Sequence, residues 1–124
     1  GSDYYGIRTV RSDRYRYIRN LTPDASFQNT MMKSDWWKSW QNSADTGNDH
    51  AAQMLRRFQD RPAEELYDSK NDPWNLVNLA NQPEYQDTLS NLSNVLDAWM
   101  KDQGDEGQGT ELNAKERQWR NRRP

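Results

Sequence analysis

YYGIRTVRSDRYRYIRNL, residues 4–21, alternates by twos on both sides of Ser12-Asp13. Tyr5, Ile7, Thr9 and Arg11 share one direction, and beyond the turn Tyr15, Tyr17 and Arg19 oppose Arg16, Ile18 and Asn20. A period of two is the mark of a pleated strand, and Ser-Asp is turn material, so the stretch reads as a β-hairpin. Ile7, Val10, Tyr17 and Ile18 are the expected packing residues. Apolar side chains occur on both faces, so the pattern leaves the phase of the pleat open.

Downstream of the hairpin the period changes. Ala51, Met54, Leu55 and Phe58 repeat at i, i+3, i+4 and i+7, which predicts a helix over 49–58 with Asp49 as N-cap or first-turn acid and Pro62 limiting its extension. Ser34-Asp35 before Trp36, Trp37 and Trp40 predicts a shorter helix over 35–43, with Trp36 and Trp40 on one packed face and Trp37 pointing away. Glu64 to Tyr67 reads as a short strand, and Asn71-Asp72-Pro73 as a turn. The longest helix follows. Tyr85, Leu89, Leu92, Val95, Leu96, Trp99 and Met100 form a continuous apolar stripe, opened by Asn81-Gln82-Pro83-Glu84 and closed by Gly104.

These elements imply an α+β fold: a small antiparallel sheet, from the hairpin at about 5–20 and a strand at about 64–68, covered by a long helix at about 83–103, with short helices within 35–58. One domain fits the 124 residues and 14.7 kDa. Gly1-Ser2 reads as an expression scar, 3–106 as the folded unit, and 107–124 as a semi-ordered polar and basic tail with a short helix around Leu112 to Trp119.

Leu, Ile, Val and Phe number only 16, but six Trp and six Tyr supply large rings that disordered chains usually lack. Net charge is −2, distributed as +3 over residues 1–20, +4 over 115–124 and −9 between them. The basic residues of the first segment lie within a strand pattern and the sequence pI is about 5.4, which argues against a nucleic-acid role. No run approaches the roughly 18 apolar residues of a membrane span, so a soluble chain is expected. There is no Cys and one His, which removes thiolate chemistry, disulfides and the common zinc sites.

Catalytic signals are weak. His50 lacks well-placed partners and reads as an exposed helix-start histidine. Glu64 and Glu65 are adjacent in a strand, so they face opposite sides and cannot share a site; a solvated pair is the expectation. No catalytic residue and no metal ligand is therefore assigned. The Trp36-Trp37-x-x-Trp40 segment, with Lys33 and Lys38 beside it, could stack on sugar rings and attract anionic groups. Trp36, Trp37, Lys38 and His50 are the candidate substrate-rim residues.

The order of motifs carries more than any one of them. GIRTVRSDRYRYIRNL, then RPAEELYDSKNDPWNLVNLA, then PEYQDTLSNLSNVLDAWMKDQGD resembles the C-terminal subdomain of sulfatases, most nearly the heparan N-sulfatase (sulfamidase) type of the alkaline-phosphatase superfamily. The specific block is E-L-Y-D, D-P and N-L-A, carried by Glu65 to Asp68, Asp72-Pro73 and Asn78 to Ala80. The resemblance covers about residues 5–106. It implies packing and turn roles for these residues, with Leu76, Leu79 and Ala80 covering the sheet.

It also implies a parent that hydrolyses sulfate esters or sulfamates of sulfated sugars, using calcium and a formylglycine made from a Cys or Ser in C/S-x-P-x-R. That sequence does not occur here. The implied role is a non-catalytic subdomain, itself inactive and without a cofactor of its own. It would dock on an N-terminal sulfatase domain and shape the rim of the substrate pocket, with a periplasmic or extracellular setting in a bacterium or a lysosomal one in an animal. An exposed sheet or apolar face would favour homo-oligomers in the isolated piece. The alternatives are a self-standing carbohydrate-binding or protein-interaction module, and a parent with phosphatase or phosphodiesterase chemistry.

Overall fold

The computed structural model describes residues 5–117. Three antiparallel strands, β1 (Ile7–Arg11), β2 (Tyr15–Asn20) and β3 (Glu64–Asp68), form one sheet in the order β1-β2-β3. α1 (Asp35–Asp45) and α2 (Asp49–Gln59) are inserted between β2 and β3. α3 (Gln86–Asp102), the longest helix, follows β3, and a short α4 (Gln108–Leu112) ends the regular part with a 3-10 turn at Ala114–Arg117. The α+β architecture expected from periodicity is present. Trp119, the anchor expected for the tail helix, lies outside the described residues.

The register decides the phase of the pleat. Val10 pairs with Tyr17 and Tyr17 with Leu66, so these three form one cross-strand row. Tyr17, Leu66, Leu79, Leu89, Leu96 and Met100 form the buried cluster between the sheet and α3, with Val10, Tyr15, Tyr85 and Leu92 packed around it. The alternate residues Ile18, Glu65 and Tyr67 therefore face the other side, toward α1 and α2.

Caps explain where the helices stop. The Asn48 side chain accepts a hydrogen bond from the Ala51 N–H at 3.1 Å, making Asn48 the N-cap of α2 and Asp49 its first-turn acid. Before α3, Pro83 occupies the first position of a 3-10 turn whose N-cap position is Gln82, and α3 continues from it. At the far end Gly104 takes φ 65°, with its N–H on the Lys101 carbonyl at 3.2 Å and the Asp105 N–H on that of Met100 at 2.8 Å. Such a double closure requires left-handed backbone, which glycine adopts without penalty. Gly6 has a different reason: a Cβ there would sit 2.7 Å from side-chain carbons of Leu21 and Glu111.

Three expectations are corrected by the packing. The α3 stripe is narrower than its period suggests, because Leu89, Leu96 and Met100 are buried whereas Val95 and Trp99 are more than half exposed. Leu76 is likewise mostly exposed, so only Leu79 and Ala80 of that block cover the sheet. Glu64 and Glu65 do face opposite ways, but they are not a solvated pair. Glu65 is 7% exposed, accepting from Asn20 Nδ2 at 2.7 Å and from the Tyr67 hydroxyl. Glu64 accepts from the Tyr17 hydroxyl at 2.6 Å. Buried carboxylates survive only with such donors, and here the aromatic hydroxyls supply them.

The motif E-L-Y-D ends in a buried hub. Asp68 takes the Arg14 guanidinium at 2.6 Å, and the N–H groups of Lys70 and Asn71 at 3.2 Å. Arg14 is the main reason its carboxyl is pulled down to about 2, helped by the two backbone donors. Asp72 then accepts from the Val77 N–H at 2.8 Å, fixing the turn that carries Trp74. The chain next returns alongside β3. The Leu79 N–H reaches the Leu66 carbonyl at 2.8 Å, while Asn78 Oδ1 receives the Leu66 N–H at 2.9 Å.

Candidate functional site

Between the second face of the sheet and the α1–α2 pair lies a groove of about 420 Å³. That volume falls in the range of small-molecule sites, roughly 300 to 1,000 Å³. Ile18, Glu65 and Tyr67 form the sheet wall, and Met54, Leu55 and Phe58 the α2 wall. α1 contributes Trp36, Trp37 and Trp40, and the turn after β3 contributes Trp74, Asn75 and Leu76. Five segments of the chain, from β2, α1, α2, β3 and the turn after β3, thus meet around one opening.

The three indoles of α1 play different parts. Trp37 is 3% exposed and packs its ring against Trp36 at 5.7 Å and Phe58 at 5.2 Å between centroids. It is the anchor that holds α1 on α2. Trp36 and Trp40 remain 46% and 39% exposed at the groove. The expected assignment is therefore reversed. A strip of three Trp in five residues has two possible inward faces, and the position of Phe58 selects the one carrying Trp37. Trp74, which no periodic pattern singled out, is 81% exposed.

The other rim candidates do not join the groove wall. Lys38 points to solvent, with Asp35 at 3.5 Å one turn earlier. His50 is exposed beside Trp40, their rings 6.2 Å apart. The structure thus brings Trp36 and Trp37 together and leaves Lys38 and His50 outside.

The cations of the groove are two arginines of the α2 end, Arg57 and Arg61. Arg57 lies over the Tyr67 ring at 5.7 Å, and Arg61 over Phe27 at 5.3 Å and Phe58 at 5.9 Å. Among the described residues neither has a carboxylate within 4 Å. Burial, reinforced by the bond to Glu65, pushes the Tyr67 phenol up to about 12, so it is neutral and donates to Glu65 at ordinary pH. Both Glu65 oxygens are engaged, one by Asn20 and one by Tyr67. The signal that could have located the arginines is their spacing: Arg57 and Arg61 are four apart, as are Met54 and Phe58, around the end of one helix.

Among the described residues, three or more His, Asp or Glu side chains do not gather in a group that could hold a metal ion. The groove presents flat aromatic faces, apolar side chains and guanidinium groups.

Comparison with known proteins places these residues in context. The chain is 36% identical over 105 residues to an ulvan-active sulfatase of Formosa agariphila, and 31% identical over 108 residues to another protein of the same name from that organism. Most of this chain is aligned in each case. The chain is related to sulfatases over that part of its length. The aligned stretches cover 81% and 84% of this chain but only 17% and 19% of those two proteins. No protein-family model matches the chain.

Proposed function

We propose that these 124 residues form the non-catalytic C-terminal subdomain of a sulfatase, a hydrolase of sulfate esters or sulfamates on sulfated polysaccharides. The substrate class would be ulvan-like, as the names of the two relatives suggest. The observation that carries this reading is the asymmetry of the match: most of this chain corresponds to less than a fifth of an enzyme named a sulfatase. The E-L-Y-D block of this chain is used for packing and hydrogen bonding, as the burial of Glu65 to Asp68 illustrates.

In this reading the formylglycine and the calcium belong to residues outside the 124, since C/S-x-P-x-R does not occur among them. What the subdomain supplies is shape and charge at the rim. The aromatic groove is the rim element. The outer ridge of α3, where Val95 and Trp99 are more than half exposed one turn apart, is the face that docks on the catalytic domain. When that domain is absent, the same ridge promotes association of copies of this chain. A bacterial periplasmic or extracellular setting goes with a polymeric substrate.

The decisive experiment is a sulfate-release assay on an ulvan-type polysaccharide, comparing the 124-residue chain with the gene product read upstream of it. Release by the longer product alone, together with a C/S-x-P-x-R in its upstream sequence, is expected. The absence of that motif sinks the sulfatase reading. Saturable polysaccharide binding by the short chain, with no such motif upstream, would instead favour a self-standing carbohydrate-binding module, the second reading that the groove supports.

A further inference from the structure

We infer that Arg57 reads an anionic substituent, a sulfate group, on a sugar ring lodged in the aromatic groove. This rests on the polysaccharide-sulfatase reading and specifies which side chain of the rim recognises charge.

The inference starts from an imbalance. The three arginines that pack near α3 all have carboxylates: Arg8 has Asp105 and Glu111, Arg14 has Asp68, and Arg19 has Asp97. Arg57 lines a groove, is partly withdrawn from water, and among the described residues has no carboxylate within ion-pair distance. Glu65, the carboxylate on the groove wall, is bonded by Asn20 on one oxygen and by Tyr67 on the other, and forms no ion pair with Arg57. The Arg57 guanidinium interacts with the Tyr67 hydroxyl and lies over its ring, and since a guanidinium carries five N–H donors the rest of its planar fork can meet the oxygens of a sulfate.

The surroundings select the rest of the ligand. Trp36, Trp40 and Trp74 present indole surface at the same opening, and a pyranose ring has an apolar C–H face that lies well on an indole. Arg61 plays a different part, because its Nε donates to the Phe58 carbonyl at 3.4 Å while its plane stacks on Phe27 and Phe58. It fastens the end of α2 to Phe27 and Phe58. Asp72 acts on Arg57 only from beyond ion-pair distance, so an apolar peptide would use the indoles but give Arg57 no ion-pair partner. A sulfated sugar satisfies both.

The test is calorimetric titration of the 124-residue chain with sulfated ulvan oligosaccharides, with the same material after chemical desulfation, and with inorganic sulfate. The sulfated form should bind about tenfold or more tightly than the desulfated form, the range of one charge-assisted contact. Arg57→Gln should erase that preference, Arg57→Lys should keep part of it, and Trp40→Ala should weaken both forms alike. Circular dichroism and a melting curve verify that each variant is folded.

Equal affinity for the two forms, or a folded Arg57→Gln chain that binds like the unsubstituted one, overturns the inference. So does an equal loss from Arg11→Gln, which lies outside the groove and would indicate diffuse attraction of a polyanion. A peptide that displaces the sugar and binds more tightly than it also counts against the assignment. The two levels fail separately. If the longer gene product releases no sulfate yet Arg57→Gln still costs binding, the sulfatase reading falls and the anion site stands. If the longer product is active and Arg57→Gln leaves its KM unchanged, the anion site falls and the sulfatase reading stands.

Discussion

The two faces of the sheet are finished in different ways. Toward α3, a row of Val10, Tyr17 and Leu66 lies under Leu89 and Leu96, and the flanking guanidiniums are neutralised by Asp105, Glu111, Asp97 and Asp68. Toward α1 and α2, Ile18, Glu65 and Tyr67 face a groove whose arginines, among the described residues, have rings beside them but no carboxylate within ion-pair distance. On that second face Arg11 and Arg16 are also directly opposite each other in the register. Like charges so placed repel, and neither has an ion-pair partner among the described residues. The first face is complete within the chain. The second carries arginines without ion-pair partners among the described residues, together with the Glu65 carboxylate and open aromatic surface.

Breaking the comparison tests it, beginning with the largest effect. Trp37→Ala removes the ring that joins α1 to Phe58 and should cost about 3 to 5 kcal/mol, whereas Trp36→Ala should stay within about 0.5 kcal/mol. Urea unfolding followed by circular dichroism distinguishes them. Equal costs would mean that α1 is rotated from the position described. On the closed face, Leu66→Ala should cost about 2 to 5 kcal/mol by the same measurement.

Next comes the alkaline limb. Tyr67 is held protonated up to about 12 in the folded chain, while an unfolded tyrosine ionises near about 10. Its contribution to stability is full below about 10 and is lost as pH rises toward about 12. The urea midpoint should therefore fall across that window, and Tyr67→Phe should flatten the fall. An unchanged slope in the variant would show that the Glu65 contact is not formed in solution.

The acid limb belongs to the other face. Asp68 is held down to about 2 by Arg14, against about 3.9 in an unfolded chain, so its contribution is full above the higher value and is lost as pH drops through the lower. Asp105 is lowered in the same direction by Arg8. Arg14→Gln should move the Asp68 part of this loss to higher pH, detectable by NMR titration of its carboxyl. A carboxyl that titrates unchanged in the variant would remove Arg14 as the cause. The smallest effect is expected from Lys38→Ala: its exposed pairing with Asp35 is worth at most about 0.5 kcal/mol, and melting should barely shift.

Much of the fold is legible in local pattern. The hairpin, the strand ending in Tyr67-Asp68, the helix over 49–59 and the long helix closed at Gly104 all follow from period and punctuation, because a turn residue or a cap acts within a few residues of itself. Burial was less legible. Val95 and Trp99 share the helical stripe of Leu92 and Leu96, yet the three-stranded sheet is narrow and covers only part of that stripe. Glu65 reads as a surface acid until Asn20 and Tyr67 are seen to surround it. Trp74 carries no mark in the sequence, and the four-residue spacing of Arg57 and Arg61 gains meaning only from the groove, which is assembled from five separate segments.

The sequence by itself determined the elements and their order, and through the E-L-Y-D, D-P and N-L-A block it pointed to the sulfatases to which the chain is related. Those features depend on periodicity, turn chemistry and residue identity, all of which are properties of neighbours along the chain. Tertiary structure alone decided which tryptophan is buried, which arginines form ion pairs and where an apolar groove opens. Each of these depends on what a distant segment places opposite a side chain, and a helical or pleated period sets relative phase without saying which phase meets the core.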